Sequence, residues 1–167
     1  MPNYRRIKTP GGTFFFTVNL LERRKRLLVA HIDALRDAFR LAQHHRPFRI
    51  IAIAIMPDHL HCIWQLPEGD FDNARRWTII KSVFSSRIPC TERRSLSRIK
   101  RRERGIWQRR FWERIIHSDA DLHAHIDYIH HNPVKHGLVD VATEWTYSSL
   151  THALRQGHTV RQGTPYK

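Results

Sequence analysis

Cysteine is scarce in this 167-residue chain, which carries only Cys62 and Cys90. Two thiols cannot build the disulfide framework of a small secreted domain, and Cys62 lies in an apolar run where it reads as a small buried hydrophobe. Long hydrophobic runs are lacking too, since no stretch approaches the ~20 apolar residues of a membrane span. Met1 to Pro10 has no apolar segment of the kind a secretory leader needs. These absences together predict a soluble protein in a reducing compartment, hence a cytoplasmic one. Acidic residues are few, 15 against 29 Lys and Arg, which leaves a formal charge of +14. A surplus of that size makes a polyanion the expected partner, because each neutralised phosphate releases condensed counterions. Composition alone would also fit a basic surface that is simply well solvated. No internal repeat is present, and the length suits one domain with its own core.

Periodicity then orders the chain. Gly11-Gly12 precede a first strand over Thr13 to Leu20, rich in Phe and β-branched residues. A basic loop with Arg23, Arg24, Lys25 and Arg26 follows. Leu35, Ala38, Phe39 and Ala42 recur at steps of three and four and predict a helix from Ile32 to His45. Phe48 to Met56 is apolar throughout and reads as a buried central strand. Pro57-Asp58 turns the chain into a second strand, His59 to Leu66, so the pair forms a hairpin. A helix over Asn73 to Ser85 comes next, then Arg87 to Arg104, too charged to pack and read as a mobile insertion. Ile106 to Ile116 should hold another strand. Ser118 caps a third helix that runs to about His131 and is stopped by Pro133 and Gly137. A short element around Trp145 to Leu154 closes a domain spanning 1–155, and 156–167 reads as a loose tail. The order predicts an α+β fold, a ferredoxin-like βαββαβ unit with its helices on one face of an antiparallel sheet.

Two local patterns carry chemistry. On a strand, residues i and i+2 share a face, so His59 and His61 project together while Leu60 turns away. Two imidazoles on a rigid strand can hold a divalent ion with positions left open; two satisfied histidines near a turn is the plainer reading. Tyr128 and Asn132 stand one helical turn apart on a common face. A phenol can attack phosphorus, and a neutral amide oxygen suits a hard ion such as Mg²⁺ or Mn²⁺. A tyrosine packed into the core is the alternative there. Trp107 and Trp112 interleave with Arg109 and Arg110, the pattern of bases stacking beside a basic groove, although Trp112 reads more readily as core. Phosphate contacts are expected from Arg23, Arg24, Arg26, Arg75, Arg76, Arg101, Arg102, Arg109 and Arg110, with Trp107 as the stacking ring.

Taken together, several blocks resemble one family. PFRIIAIAIMPDHLHCIWQLPEGD (Pro47 to Asp70), IWQRRFWERII (Ile106 to Ile116) and HIDYIHHNPVKHGLV (His125 to Val139) are similar to segments of the REP-associated tyrosine transposases. The opening YRR…GGTFFFTVNL (Tyr4 to Leu20) and EWTYSS (Glu144 to Ser149) fit the same family, in the same order, over nearly the whole chain. The resemblance implies a single-strand nuclease of the HUH class with a ferredoxin-like catalytic domain. It implies a divalent metal, Mg²⁺ or Mn²⁺, held by His59, His61 and Asn132, and Tyr128 as a nucleophile that forms a covalent 5′-phosphotyrosine. It further implies single-stranded DNA and REP hairpins as partners, a nucleoid-associated location, no membrane, and a monomer. Thr146 departs from the family, standing where many relatives have proline. Competing expectations are a relaxase or replication initiator, a hairpin-binding protein that no longer cleaves, and a basic RNA-binding module. The absence of a second tyrosine one turn from Tyr128 weighs against the first.

Overall fold

The computed structural model describes residues 5–157. Tyr4 of the opening motif and residues 158–167 of the expected tail lie outside that range. In chain order the elements are β1 (Thr13–Asn19), α1 (Leu27–Ala30), α2 (Ile32–His45), β2 (Arg49–Ile55), β3 (His59–Gln65), α3 (Asn73–Ser86), α4 (Leu96–Lys100), β4 (Trp112–Ile115) and α5 (Asp119–Lys135). A 3₁₀ turn (Ala142–Glu144) and α6 (Ser149–Arg155) complete them.

The four strands form one antiparallel sheet in the order β2-β3-β1-β4. That is the order the ferredoxin-like unit requires, because the βα crossovers place β1 and β2 apart and β3 fills the gap between them. Alternation along β1 sends Phe14, Phe16 and Val18 to one face and Phe15 and Thr17 to the other. The first set meets the apolar stripes of α2 (Leu35, Ala38, Phe39, Ala42) and α3 (Trp77, Ile80, Phe84) in the main core. Trp64 anchors that core, its ring centroid 4.4 Å from Phe16 and Phe48 and 4.6 Å from Trp77.

The expectation of helices on one face holds for α2 and α3 but not for α5. Ile129 of α5 packs with Phe15, Ala52, Ala54, Met56 and Ile63 on the opposite side. This also explains why 48–56 is apolar throughout. β2 is an edge strand, not a central one, but α2 and α5 cover its two faces and residues 146–149 lie along its outer edge. There Ile55 N–H donates to Tyr147 O at 2.9 Å, and Ile53 N–H to Ser149 Oγ at 3.0 Å.

The fourth strand is shorter than expected, with 106–111 irregular before Trp112. Ser118 caps α5 as predicted, accepting from Asp121 N–H at 3.1 Å. Pro133 does not stop that helix but sits within it, and α5 runs on to Lys135. Termination falls to Gly137, whose φ of 68° is open to glycine, with Leu138 N–H donating to Pro133 O and Gly137 N–H to Val134 O. The insertion 87–104, expected to be mobile, forms α4 and several anchoring contacts. Arg104 grips Glu92 with two bonds of 2.7 and 2.9 Å and donates to the carbonyls of Ser85, Ile88 and Pro89. Both cysteines are free, Cys62 in the core and Cys90 at the surface. Among the described residues no helix is long and apolar enough to cross a membrane.

Candidate active site

β3 presents His59 and His61 to the face that α5 covers, and both rings are almost fully buried there. Their centroids lie 5.1 Å apart. Each is oriented by a neighbour. Asp58 Oδ1 is 2.7 Å from His59 Nδ1, and a carboxylate can only accept, so Nδ1 carries the hydrogen. Thr17 Oγ1 is 2.8 Å from His61 Nδ1, from the position directly across the β1–β3 pair. Arg23 Nε in turn donates to Asp58 Oδ2 at 2.6 Å.

The electrostatics favour a neutral His61. Burial pushes His61 down to about 3, helped by the charges of His59 and His136, so its ring is unprotonated at neutral pH. Burial alone would raise the Asp58 carboxyl, but hydrogen bonds and charges from His59 and Arg23 outweigh it and hold Asp58 below the ordinary carboxylate range. His136, beyond the end of α5, brings its ring to 4.8 Å from that of His59, and it too is lowered by burial and by His59.

α5 supplies the other half. Tyr128 sets its ring 5.3 Å from His61 and 5.9 Å from Phe15. Lys135 Nζ lies 5.4 Å from the centre of the Tyr128 ring. One turn beyond the tyrosine, Asn132 is buried beside His61, near enough for its amide to oppose the fall in that ring's basicity, yet neither amide atom makes a hydrogen bond of full geometry. A buried amide without a well-formed bond costs stability, and its oxygen is one that a cation could satisfy. Among the described residues no three His, Cys, Asp or Glu side chains gather as a metal cage. His59, His61 and the Asn132 amide are side chains that could donate to a divalent ion, a nitrogen and oxygen set suited to an ion that also takes oxygen from substrate.

The expected phosphate contacts divide. Arg24, Arg26, Arg75, Arg101, Arg102 and Arg110 are exposed and have no ion-pair partner among the described residues. Arg109 is exposed but paired with Glu103 at 2.9 Å, and Arg23 is engaged by Asp58. Arg76 cannot serve. It is 0% exposed, with a two-bond pair to Asp70 and donations to Arg46 O, Pro47 O and Asp72 O. Trp107 is likewise excluded as a stacking ring, being 7% exposed and packed 5.3 Å from Phe84, whereas Trp112 is 52% exposed. Thr17, Asp58, His136 and Lys135 were not evident from sequence. Asp58 reads only as a turn residue, and Thr17 gains its role solely through strand register.

The family model described as "Transposase IS200 like" matches residues 15–132. A Haemophilus influenzae protein, provisionally named a REP-associated tyrosine transposase, is 48% identical over 90% of this chain and 86% of its own length. The Escherichia coli REP-associated tyrosine transposase is 41% identical over 94% of this chain and 87% of its own length. A solved REP-associated tyrosine transposase bound to a REP hairpin superposes with a TM-score of 0.83 and 39% identity, covering 99% of this chain and 93% of that one.

Proposed function

The chain belongs to the IS200-like transposases, and from that premise we propose that it cuts and rejoins single-stranded DNA beside REP hairpins, with Tyr128 as nucleophile. The observation that carries the reading is the meeting of two elements far apart in sequence. Strand β3 brings His59 and His61, helix α5 brings Tyr128 and Asn132, and both sets face the same side of one sheet.

Transposases of this type generally use a divalent metal, which would be held here by His59, His61 and Asn132 and would polarise the scissile phosphate. The protein's own part is positioning and charge. Asp58 and Thr17 fix the two imidazoles, and burial keeps His61 neutral. The Tyr128 oxygen attacks phosphorus in line, forming a Tyr128 O–P bond as the bond from phosphorus to the 3′ oxygen breaks. The phenol loses its proton and the departing 3′ oxygen gains one. Lys135 places a positive charge near the phenol as it becomes anionic. One phosphoester bond replaces another, so a second 3′-hydroxyl can reverse the attack and join the 5′ end to a new strand. Arg24, Arg26, Arg75, Arg101, Arg102 and Arg110 grip the phosphate backbone, which draws the hairpin to the protein without reading its sequence.

The test is a labelled REP hairpin with a flanking single strand, incubated with Mn²⁺ or Mg²⁺ and run on a denaturing gel. A metal-dependent protein–DNA band, absent with Tyr128→Phe while hairpin affinity stays within about twofold, is expected. A band that persists in the variant removes Tyr128 as the nucleophile. Binding without any band in the unaltered protein makes it a hairpin-binding protein instead.

A further inference from the structure

Four of the five tryptophans are buried, and Trp112 alone is half in water. Its place is not arbitrary. Trp112 on β4 stands opposite Thr17 on β1, and Thr17 stands opposite His61 on β3. The three residues form a row straight across the sheet on the face that α5 covers, with Trp112 at the outer edge. Two strand spacings separate its backbone from that of His61, about 10 Å.

Between that edge and α5 lies a cleft of about 340 Å³, lined by Phe15, Thr17, Trp112, Ala124, His125 and Tyr128. Phe15 forms its floor. Trp112, His125 and Tyr128 stand around it at centroid distances of 5.8, 5.0 and 5.9 Å and interplanar angles of 75, 58 and 67°. Ala124, one helical turn before Tyr128, keeps the helix side of the cleft open. Arg114, two residues along β4 and hence on the same face as Trp112, leaves its guanidinium half exposed, 3.4 Å from Asp121. An aromatic box beside a nucleophile, with a cation at its rim, matches one unpaired nucleotide, a ring to stack and a phosphate to neutralise.

We propose that this cleft seats the unpaired nucleobase next to the scissile phosphate, stacked on Trp112, so that a base held at the sheet edge sets the phosphate before Tyr128. The inference rests on the nuclease reading above for its purpose, but not for its measurement. Stacking uses a ring face that every base possesses, so the cleft sets position along the strand and tolerates sequence.

The test uses the full chain as Tyr128→Phe in EDTA, where nothing can be cut, and 2-aminopurine moved position by position through the single strand beside the hairpin. One position should lose at least threefold of its fluorescence on binding, recover it with Trp112→Ala, and keep most of the quenching with Trp112→Phe. An abasic site there should weaken binding of the parent about 5–50-fold and that of the Trp112→Ala protein less than twofold. Ala124→Leu, which fills the cleft without touching β4, should also abolish the quenching. Quenching at no position, or quenching indifferent to both Trp112→Ala and Ala124→Leu, overturns the proposal. Because this readout needs no cleavage, failure of the nuclease reading would show separately, as an absent covalent band with the quenching intact.

Discussion

Thr17 stands directly opposite His61 across the β1–β3 pair, its hydroxyl 2.8 Å from His61 Nδ1. The hydroxyl fixes how the buried ring is turned, and with it the direction of the other nitrogen. Thr17→Val keeps the shape and removes that hold. Mn²⁺ affinity, read by electron paramagnetic resonance titration, should fall roughly 10–100-fold with the fold intact. Unchanged affinity would make the Thr17 contact incidental.

Asn132 tests the metal site from the side of stability. Its amide is buried beside the His61 ring and makes no hydrogen bond of full geometry. Asn132→Leu removes an unsatisfied polar group at similar volume, so the metal-free protein should gain about 1 kcal/mol, a rise in Tm of roughly 2–4 °C. Metal affinity and the covalent band should both be lost. A metal-free protein that becomes less stable would show that the amide has a partner after all.

Arg76 and Arg110 look alike in sequence and should behave as opposites. Replacing Arg76 by Met strips partners from Asp70 and three carbonyls around a fully buried guanidinium, and should cost about 3–5 kcal/mol in a denaturant melt. Below its melting point, that variant should bind a REP hairpin within about twofold of the unaltered protein. Arg110→Ala should leave the melt alone and lower the slope of log affinity against log salt by about one. Equal effects of the two on hairpin binding would contradict the division drawn between them.

The insertion has its own pH signature. The Arg104 guanidinium hydrogen-bonded to Glu92 holds that carboxyl down at about 2, against an ordinary 4.5. A depressed carboxyl stabilises fully above its unfolded value, and the contribution fades as pH falls from there towards the folded value. Hydrogen-exchange protection over 88–105 should therefore weaken between about pH 4.5 and about pH 2. In Glu92→Gln it should already be at least tenfold lower at neutral pH, with α2 and α3 unaffected. Full protection in the variant would mean that the carbonyls of Ser85, Ile88 and Pro89 hold Arg104 and the loop by themselves.

Local periodicity was enough to find what lies within one element. A strand repeats every two residues, which placed His59 and His61 together, and a helix every 3.6, which placed Tyr128 with Asn132. Contacts between elements were out of reach. Thr17 meets His61 only because of a register set by the whole sheet, and His136 reaches His59 only because α5 crosses that face and continues past Pro133. The proline misled because its cost in a helix interior is a penalty and not a prohibition, and α5 carries Pro133 within its last turn on to Lys135. Trp107 and Trp112 exchanged roles for a similar reason. In a run mixing arginine and aromatics no period tells inside from outside, and burial was decided by where β4 begins.

The alternation along β3 reaches beyond the site itself. Odd positions 59, 61, 63 and 65 belong to the side that α5 covers, and even positions 60, 62 and 64 to the aromatic core. A pairing slip of one residue exchanges the two sets entirely. It would drive both imidazoles into the packed interior and expose Trp64 where substrate should lie. A copy of this chain that has mispaired its hairpin thus parts His59 and His61 from Tyr128 by the same error that unmakes its core.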